Sequence, residues 1–247
     1  MPRISKINKD ELLQLEREVQ LRTRGAATFA DAAQAYVDLL WERLQDSLVL
    51  ARVFATVPFA QLPETNQSFV SNLVESAGFA DQLTDATLVL SLMGSRGREP
   101  EWNDRRTSKG HVGIPLTSAL FIDAIPMVSR LLKQMGLGLA WIDRQDTELV
   151  IKTVGSTAGV FYVRSAGQET DVEGRKIIAA QHFVEKYGVQ TVFGLGGGFV
   201  GTQTFMTCII FCSEELTKNQ AEAFMPQVNR IKVSTQALVK SEKMLGR

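Results

Sequence analysis

The segment Thr204–Cys212 constrains this chain more than any other. In an extended backbone Phe205, Thr207, Ile209 and Phe211 point one way and Met206, Cys208 and Ile210 the other, and both sets are apolar or β-branched. A strand of that kind is buried on both faces. The chain must therefore build a sheet and cover it on each side. Its composition allows that: of 247 residues, 45% are hydrophobic and 22% charged, as in an ordinary globular protein.

The remaining elements follow from periodicity. Strands are expected at Ser47–Val57, closed by Pro58 and Pro63, then at Thr87–Met93, His111–Leu116 and Val189–Phe193. Leu149–Val154 and Val160–Val163 read as two more strands around a Gly/Ser-rich turn. Leu12, Leu15 and Val19 predict a helix over 9–23. Thr28, with Asp31 three residues on, opens a second helix whose apolar face is Ala32, Tyr36, Leu39 and Leu40. Further helices are expected over Glu64–Ala77, ended by Gly78, and over Ser118–Met135, kinked at Pro126. Two more run from Asp171 to Gly188 and along Lys218–Leu245. The order predicts an α+β fold: an N-terminal helix over 1–26 and one domain over 27–247.

Charge and cysteine usage exclude several classes. Lys plus Arg and Asp plus Glu both number 27, which offers nothing to nucleic acid or an anionic membrane surface. No apolar run approaches the ~20 residues of a membrane span. Met1–Asp10 lacks the apolar core of a signal peptide, so a cytoplasmic protein with reduced thiols is expected. There is no C-x-x-C, and the two histidines form no H-E-x-x-H, which leaves no zinc site. Cys208 and Cys212, four residues apart on one strand, stand ~13 Å apart at ~3.3 Å per residue, beyond the ~7 Å reach of a disulfide. Buried core thiols are expected.

Gly196-Gly-Gly198-Phe-Val-Gly201 matches G-x-G-x-x-G, but it leads into a strand, with no helix N-terminus to hold a pyrophosphate. Gly194–Gly201 is expected to be a flexible hairpin turn, and no nicotinamide or flavin cofactor is expected.

The polar loop Gly94–Lys109 holds the most unusual residues. Trp102 beside Arg105 and Arg106 suits an anionic or aromatic ligand through cation–π contact and bidentate hydrogen bonds. The competing reading pairs an arginine with Asp104 or Glu101. Tyr162 and Arg164 share one strand face and can line the same pocket or a half-buried edge. His111 lies beside the loop, and His182 on a helix. One axial histidine suffices for haem, so a haem-type sensor through His111 stands as an alternative, with a small redox enzyme using Cys208 or His111 beside it. Phe224, Val228, Ile231, Thr235, Leu238 and Leu245 form a heptad seam that predicts a homodimer through the first and last helices. Residues 218–247 carry six basic and two acidic side chains, which reads as a solvated face.

The final third, a helix, a hairpin pairing Val189–Phe193 with Thr204–Cys212, then a long helix after Ser213–Leu216, resembles the end of a GAF domain. A helix running into a first strand, Phe29–Val57, resembles its beginning, and the likeness spans about residues 27–240. The segment Phe59–Asp85 is longer than a plain GAF domain needs. The resemblance implies a central antiparallel sheet of the PAS/GAF type, with the long terminal helices on one face and helices and loops on the other. It implies a non-catalytic, ligand-binding regulatory domain of bacterial signal transduction. Such a domain binds an unidentified small molecule and passes its state through terminal helices to a downstream domain or protein. The N-K-x-F…D-E signature of cyclic-nucleotide-binding members is missing. Nothing marks the cysteine near a histidine that bilin-binding members need, and the cysteine pair does not suit the methionine sulfoxide reductases of the family. On this reading an apolar pocket lies between strands and cover, with Trp102, Arg105 and Arg106 at its rim.

Overall fold

A computed structural model describes residues 2–108, 110–143, 147–155 and 157–246. Lys109 of the polar loop, Ser156 of the expected Gly/Ser-rich turn and Arg247 lie outside the described residues. Two helices come first, α1 (Lys9–Thr23) and α2 (Phe29–Leu44). Asn8 and Thr28 cap them with full capping boxes, closed by Glu11 and by Asp31. Strand β1 (Leu48–Pro58) follows, then α3 (Glu64–Ser76), β2 (Leu88–Gly97) and β3 (Gly113–Pro115). Next come α4 (Ala119–Asp123), α5 (Pro126–Gln134), α6 (Thr147–Gly155) and β4 (Ala158–Val163). The chain closes with α7 (Gln181–Tyr187), β5 (Thr191–Gly198), β6 (Phe205–Cys212), α8 (Lys218–Glu222) and α9 (Met225–Lys240).

Among the described residues the strands form one antiparallel sheet in the order β3–β2–β1–β6–β5–β4. The central strands β1 and β6 are buried along nearly their whole length, as the two-faced apolar pattern demands. One face carries α1, α2 and α9. Leu15, Val19, Tyr36, Leu40, Phe224 and Val228 pack there against Val53, Cys208 and Ile210. The other face carries α4 to α7, with Phe121, Leu132, Val154 and Val184 over Phe54, Leu92 and Ile209. This is the α+β layering expected. Helix α1 shares the core of its face, and the segment before it is anchored too. The Ile4 N–H donates to Ser47 Oγ at 2.9 Å, and the Ser5 and Ser47 hydroxyls both donate to the buried Glu214 carboxylate.

Several expectations are corrected. Leu149–Val154 is part of helix α6: its β-branched run turns Val150 and Val154, one helical turn apart, onto the core. The helix expected from Asp171 starts only at Gln181. Asp171 Oδ1 instead accepts the N–H groups of Glu173 and Arg175, and Gly174 turns at φ +79°, which closes a tight turn. Ser118–Met135 is two helices, because Ile125, preceding Pro126, leaves the helical region at φ −111°, ψ 89°. Lys218–Leu245 likewise breaks at Phe224, ahead of Pro226, and ends at Lys240.

The glycine run is not a turn. Gly194–Gly198 belongs to β5, and the turn is confined to the residues between Phe199 and Thr204. A Cβ on Gly198 would meet Val154 O at 1.8 Å, so the bare backbone there is what lets α6 lie against the strand. The heptad seam is also used within the chain. Phe224, Val228, Ile231 and Thr235 are fully buried against the sheet and α1, which removes the exposed stripe that argued for a dimer.

Candidate functional site

The face under α4 to α7 is where the resemblance places a ligand. Its centre is packed with side chains: Phe54, Leu92, Phe121, Leu131, Phe161 and Ile209 are all buried in one cluster. Open space remains at one end of the sheet, in a cleft of about 770 Å³ between the start of β2, the end of β3, the turn at Trp141 and the β5–β6 connection. Leu88, Leu116 and Val150 make its floor, and Asp81, Asp143 and Gln203 stand at its edge.

Two polar groups in this cleft have no hydrogen-bond partner. Trp141 is only 7% exposed and its Nε1–H donates to nothing, and the Thr117 hydroxyl is equally unpartnered. Buried donors are nearly always satisfied, and leaving one unpaired costs ~1–3 kcal/mol. The neighbouring polar groups are committed. Asp143 accepts the Ala119 N–H at 2.8 Å and Ser118 Oγ accepts that of Phe121 at 3.2 Å, which together cap α4. Among the described lining residues none is cationic.

The residues singled out from sequence are not brought together. Trp102 follows β2 and packs edge-on against Phe183 at 5.6 Å and Tyr187 at 4.9 Å, at the opposite end of the sheet from the cleft. Tyr187 in turn donates to Glu99 at 2.7 Å. Arg105 and Arg106 lie on the other side of the same loop, in a separate cleft against α2. Arg106 pairs with Asp104 at 2.7 Å, as the competing reading had it. His111 is exposed just before β3. Near it the half-buried Arg52 donates to Ser108 at 2.7 Å and Ser95 at 3.3 Å, and desolvation pushes its guanidinium down to about 10. Tyr162 lies on β4 and Arg164 just past its end, both at the sheet edge. Tyr162 donates to Leu216 O at 2.5 Å and Arg164 pairs with Glu215 at 2.6 Å. The expected rim of one pocket is therefore four separate places.

Cys208 and Cys212 are free thiols, fully buried on the helix-covered face. Burial pushes both well above the usual thiol range, so neither is poised as a nucleophile. Among the described residues no group of three or more His, Cys, Asp or Glu is placed to hold a metal ion.

Sequence reasoning missed Trp141 and Thr117. Neither belongs to a motif. The one available signal was a tryptophan between Gly138 and the polar run after Ile142.

No protein-family model matches the chain, and no curated protein matches it in sequence. Among solved structures it is similar to the phycocyanobilin-bound GAF domain of a cyanobacterial phytochrome, with a TM-score of 0.50 at 12% identity, covering 95% of this chain and 97% of that one. It is also similar to the GAF domain of an Acinetobacter phosphoenolpyruvate-protein phosphotransferase, with a TM-score of 0.46 at 10% identity, covering 98% and 99%. At 12% identity the first of these likenesses shows the fold alone. No helix among the described residues is long and apolar enough to cross a membrane.

Proposed function

We propose that this chain is a small-molecule-sensing domain of bacterial signal transduction that takes its ligand in the Trp141 cleft. One observation carries the reading: a buried indole N–H with no partner, on a tryptophan that lines a cleft large enough for a small organic molecule. A ligand whose hydrogen-bond acceptor reached the buried Trp141 or Thr117 group would satisfy it while its apolar body rests on Leu88, Leu116 and Val150. The carboxylates of Asp81 and Asp143 at its edge favour a neutral or cationic ligand over an anion here.

The phycocyanobilin of the similar phytochrome domain fits this chain poorly. The resemblance calls for a cysteine near a histidine, nothing in the sequence marks one, and both cysteines pack on the face away from the Trp141 cleft. On this reading the domain is non-catalytic, and the state of the cleft passes through the sheet to α1 and α9, which pack side by side beneath it. Pairing with a second copy then runs through the exposed Leu13 and Leu21 of α1 and Val233 of α9 rather than the buried seam.

The test is a thermal-shift screen of small metabolites repeated on Trp141→Phe, which keeps an aromatic ring and removes the donor. A ligand should stabilise the wild type by ~2.7 kcal/mol at a hundredfold excess over Kd, and lose most of that shift in the variant. A ligand that stabilises both proteins equally binds elsewhere, and the reading is then wrong.

A further inference from the structure

The turn Asp104–Thr107 presents two arginines side by side, in different circumstances. Arg106 grips Asp104 through Nε at 3.1 Å and Nη2 at 2.7 Å. Arg105 is half-buried and makes no hydrogen bond or ion pair with any described residue. It lines a cleft of about 400 Å³ on the helix-covered side of the sheet, walled by Ala30, Asp31 and Gln34 of α2, Asn66 of α3 and Gly246. Burial, with Arg106 beside it, penalises the charge of Arg105.

Asp104 and Asp31 offset that charge only in part, and neither bonds to Arg105. Asp104 is held by Arg106, and Asp31 accepts from the Thr28 N–H and hydroxyl at 3.0 and 2.7 Å. The start of α2 offers no free donors either: the Phe29 and Ala30 N–H groups donate to the Lys243 and Met244 carbonyls at 2.8 and 2.9 Å. The loop that carries Arg105 is braced on both sides. Gln34 Nε2 donates to Ser95 O and Asn103 O, Asn103 Oδ1 accepts the Gly97 N–H, and Trp102 is wedged on Tyr187. A guanidinium held in place, partly desolvated and unpaired is suited to a bidentate bond with a planar or tetrahedral oxyanion.

We propose that this cleft binds a small ligand through a carboxylate or phosphate group, with Arg105 as the anchor. The site is separate from the Trp141 cleft, and the inference stands without it. Its wall includes the segment after α9 that folds back to cap α2, so an occupied cleft braces that junction.

The experiment titrates the protein with inorganic phosphate and, separately, with succinate, at constant ionic strength, by calorimetry and thermal shift. Saturable binding of at least one probe is expected, the better probe identifying which oxyanion is preferred. Arg105→Ala should weaken binding about tenfold or more, and Arg105→Lys by less, since it keeps the charge and loses the fork. Arg22→Ala, which removes an exposed α1 arginine paired to Glu42 of α2, should leave the affinity unchanged. A melting temperature for ion-free Arg105→Ala at or above wild type confirms that the variant is folded. Equal affinity in wild type and Arg105→Ala, or no saturable response of the wild type to either probe, overturns the proposal.

Discussion

The backbone of Gly94 in β2 lies so close to Ala33 in α2 that a Cβ on Gly94 would stand 2.7 Å from the Ala33 carbonyl carbon and oxygen. Helix and strand touch with no side chain between them, next to the point where the β1–β2 register shifts. Gln34 then reaches the same strand, accepting the Ser95 N–H at 3.1 Å. Gly94→Ala must lift the helix, at a cost of ~1–3 kcal/mol or more. Gly198→Ala, against Val154 O at 1.8 Å, should cost at least as much by displacing α6. Urea unfolding with an unchanged m-value would measure both losses, and a neutral result at either glycine would show that the layers can slide apart freely.

These contacts also explain why part of the fold was legible in sequence and part was not. The two-faced pattern of Thr204–Cys212 dictated a covered sheet, and the cap at Thr28 with Asp31 is chemistry that sequence displays directly. A glycine needed for close approach looks the same as one needed for a turn, so Gly196–Gly198 was assigned to the wrong element. Val150 and Val154 have strand propensity that tertiary packing overrides. In the candidate sites, Trp102 and Arg105 are near neighbours in sequence, yet the loop carries them to opposite sides of the sheet. Trp141 matters because it lacks a partner, and no sequence pattern records that.

Unpaired hydroxyls make a paired prediction. Thr207 on β6 is fully buried with no partner for its hydroxyl, and Thr117 in the cleft also lacks one. Replacing each by valine keeps the shape and removes the unsatisfied group, so each variant should be more stable by ~1 kcal/mol in thermal melts. Thr117→Val should in addition weaken any ligand of the Trp141 cleft, whereas Thr207→Val should not. A loss of stability in either variant would mean that its hydroxyl is bonded after all.

Both thiols should be silent in the native state. Cys208 and Cys212 have no solvent exposure, and burial holds them protonated at neutral pH. Alkylation followed by intact mass measurement should find neither modified in buffer and both modified in denaturant. Rapid native labelling of Cys208 would revive the redox alternative.

His111 predicts a shallow pH dependence. Desolvation by the surrounding chain, and then the Arg52 charge, lower its pKa below the usual ~6.5, although part of its ring is open to solvent. The folded state thus binds its proton less readily than the unfolded state. Stability is complete above pH ~6.5 and declines as the pH falls from there through the lowered folded value. His111→Gln should flatten the melting temperature between pH ~7 and ~5 relative to wild type. An unchanged slope would assign the acid sensitivity to other groups.

The last prediction concerns the end of α9. Glu242 is the one described non-glycine residue at positive φ, at +57°. It closes the helix in the pattern that favours glycine: the Lys243 N–H donates to Leu238 O at 2.9 Å and the Glu242 N–H to Val239 O at 3.1 Å. The left-handed conformation costs a non-glycine residue ~1–2 kcal/mol, while glycine's extra freedom in the unfolded chain returns ~0.4–1 kcal/mol of that. Glu242→Gly should therefore stabilise by ~0.5–1 kcal/mol, even though it gives up an exposed hydrogen bond from Gln61 at 3.3 Å. Glu242→Val should act oppositely, because a β-branched side chain resists this conformation most. It should also loosen Lys243 and Met244 from the start of α2, seen as faster amide exchange at Phe29 and Ala30. A destabilised glycine variant would mean that the link to Gln61, rather than the helix-ending turn, governs this corner of the fold.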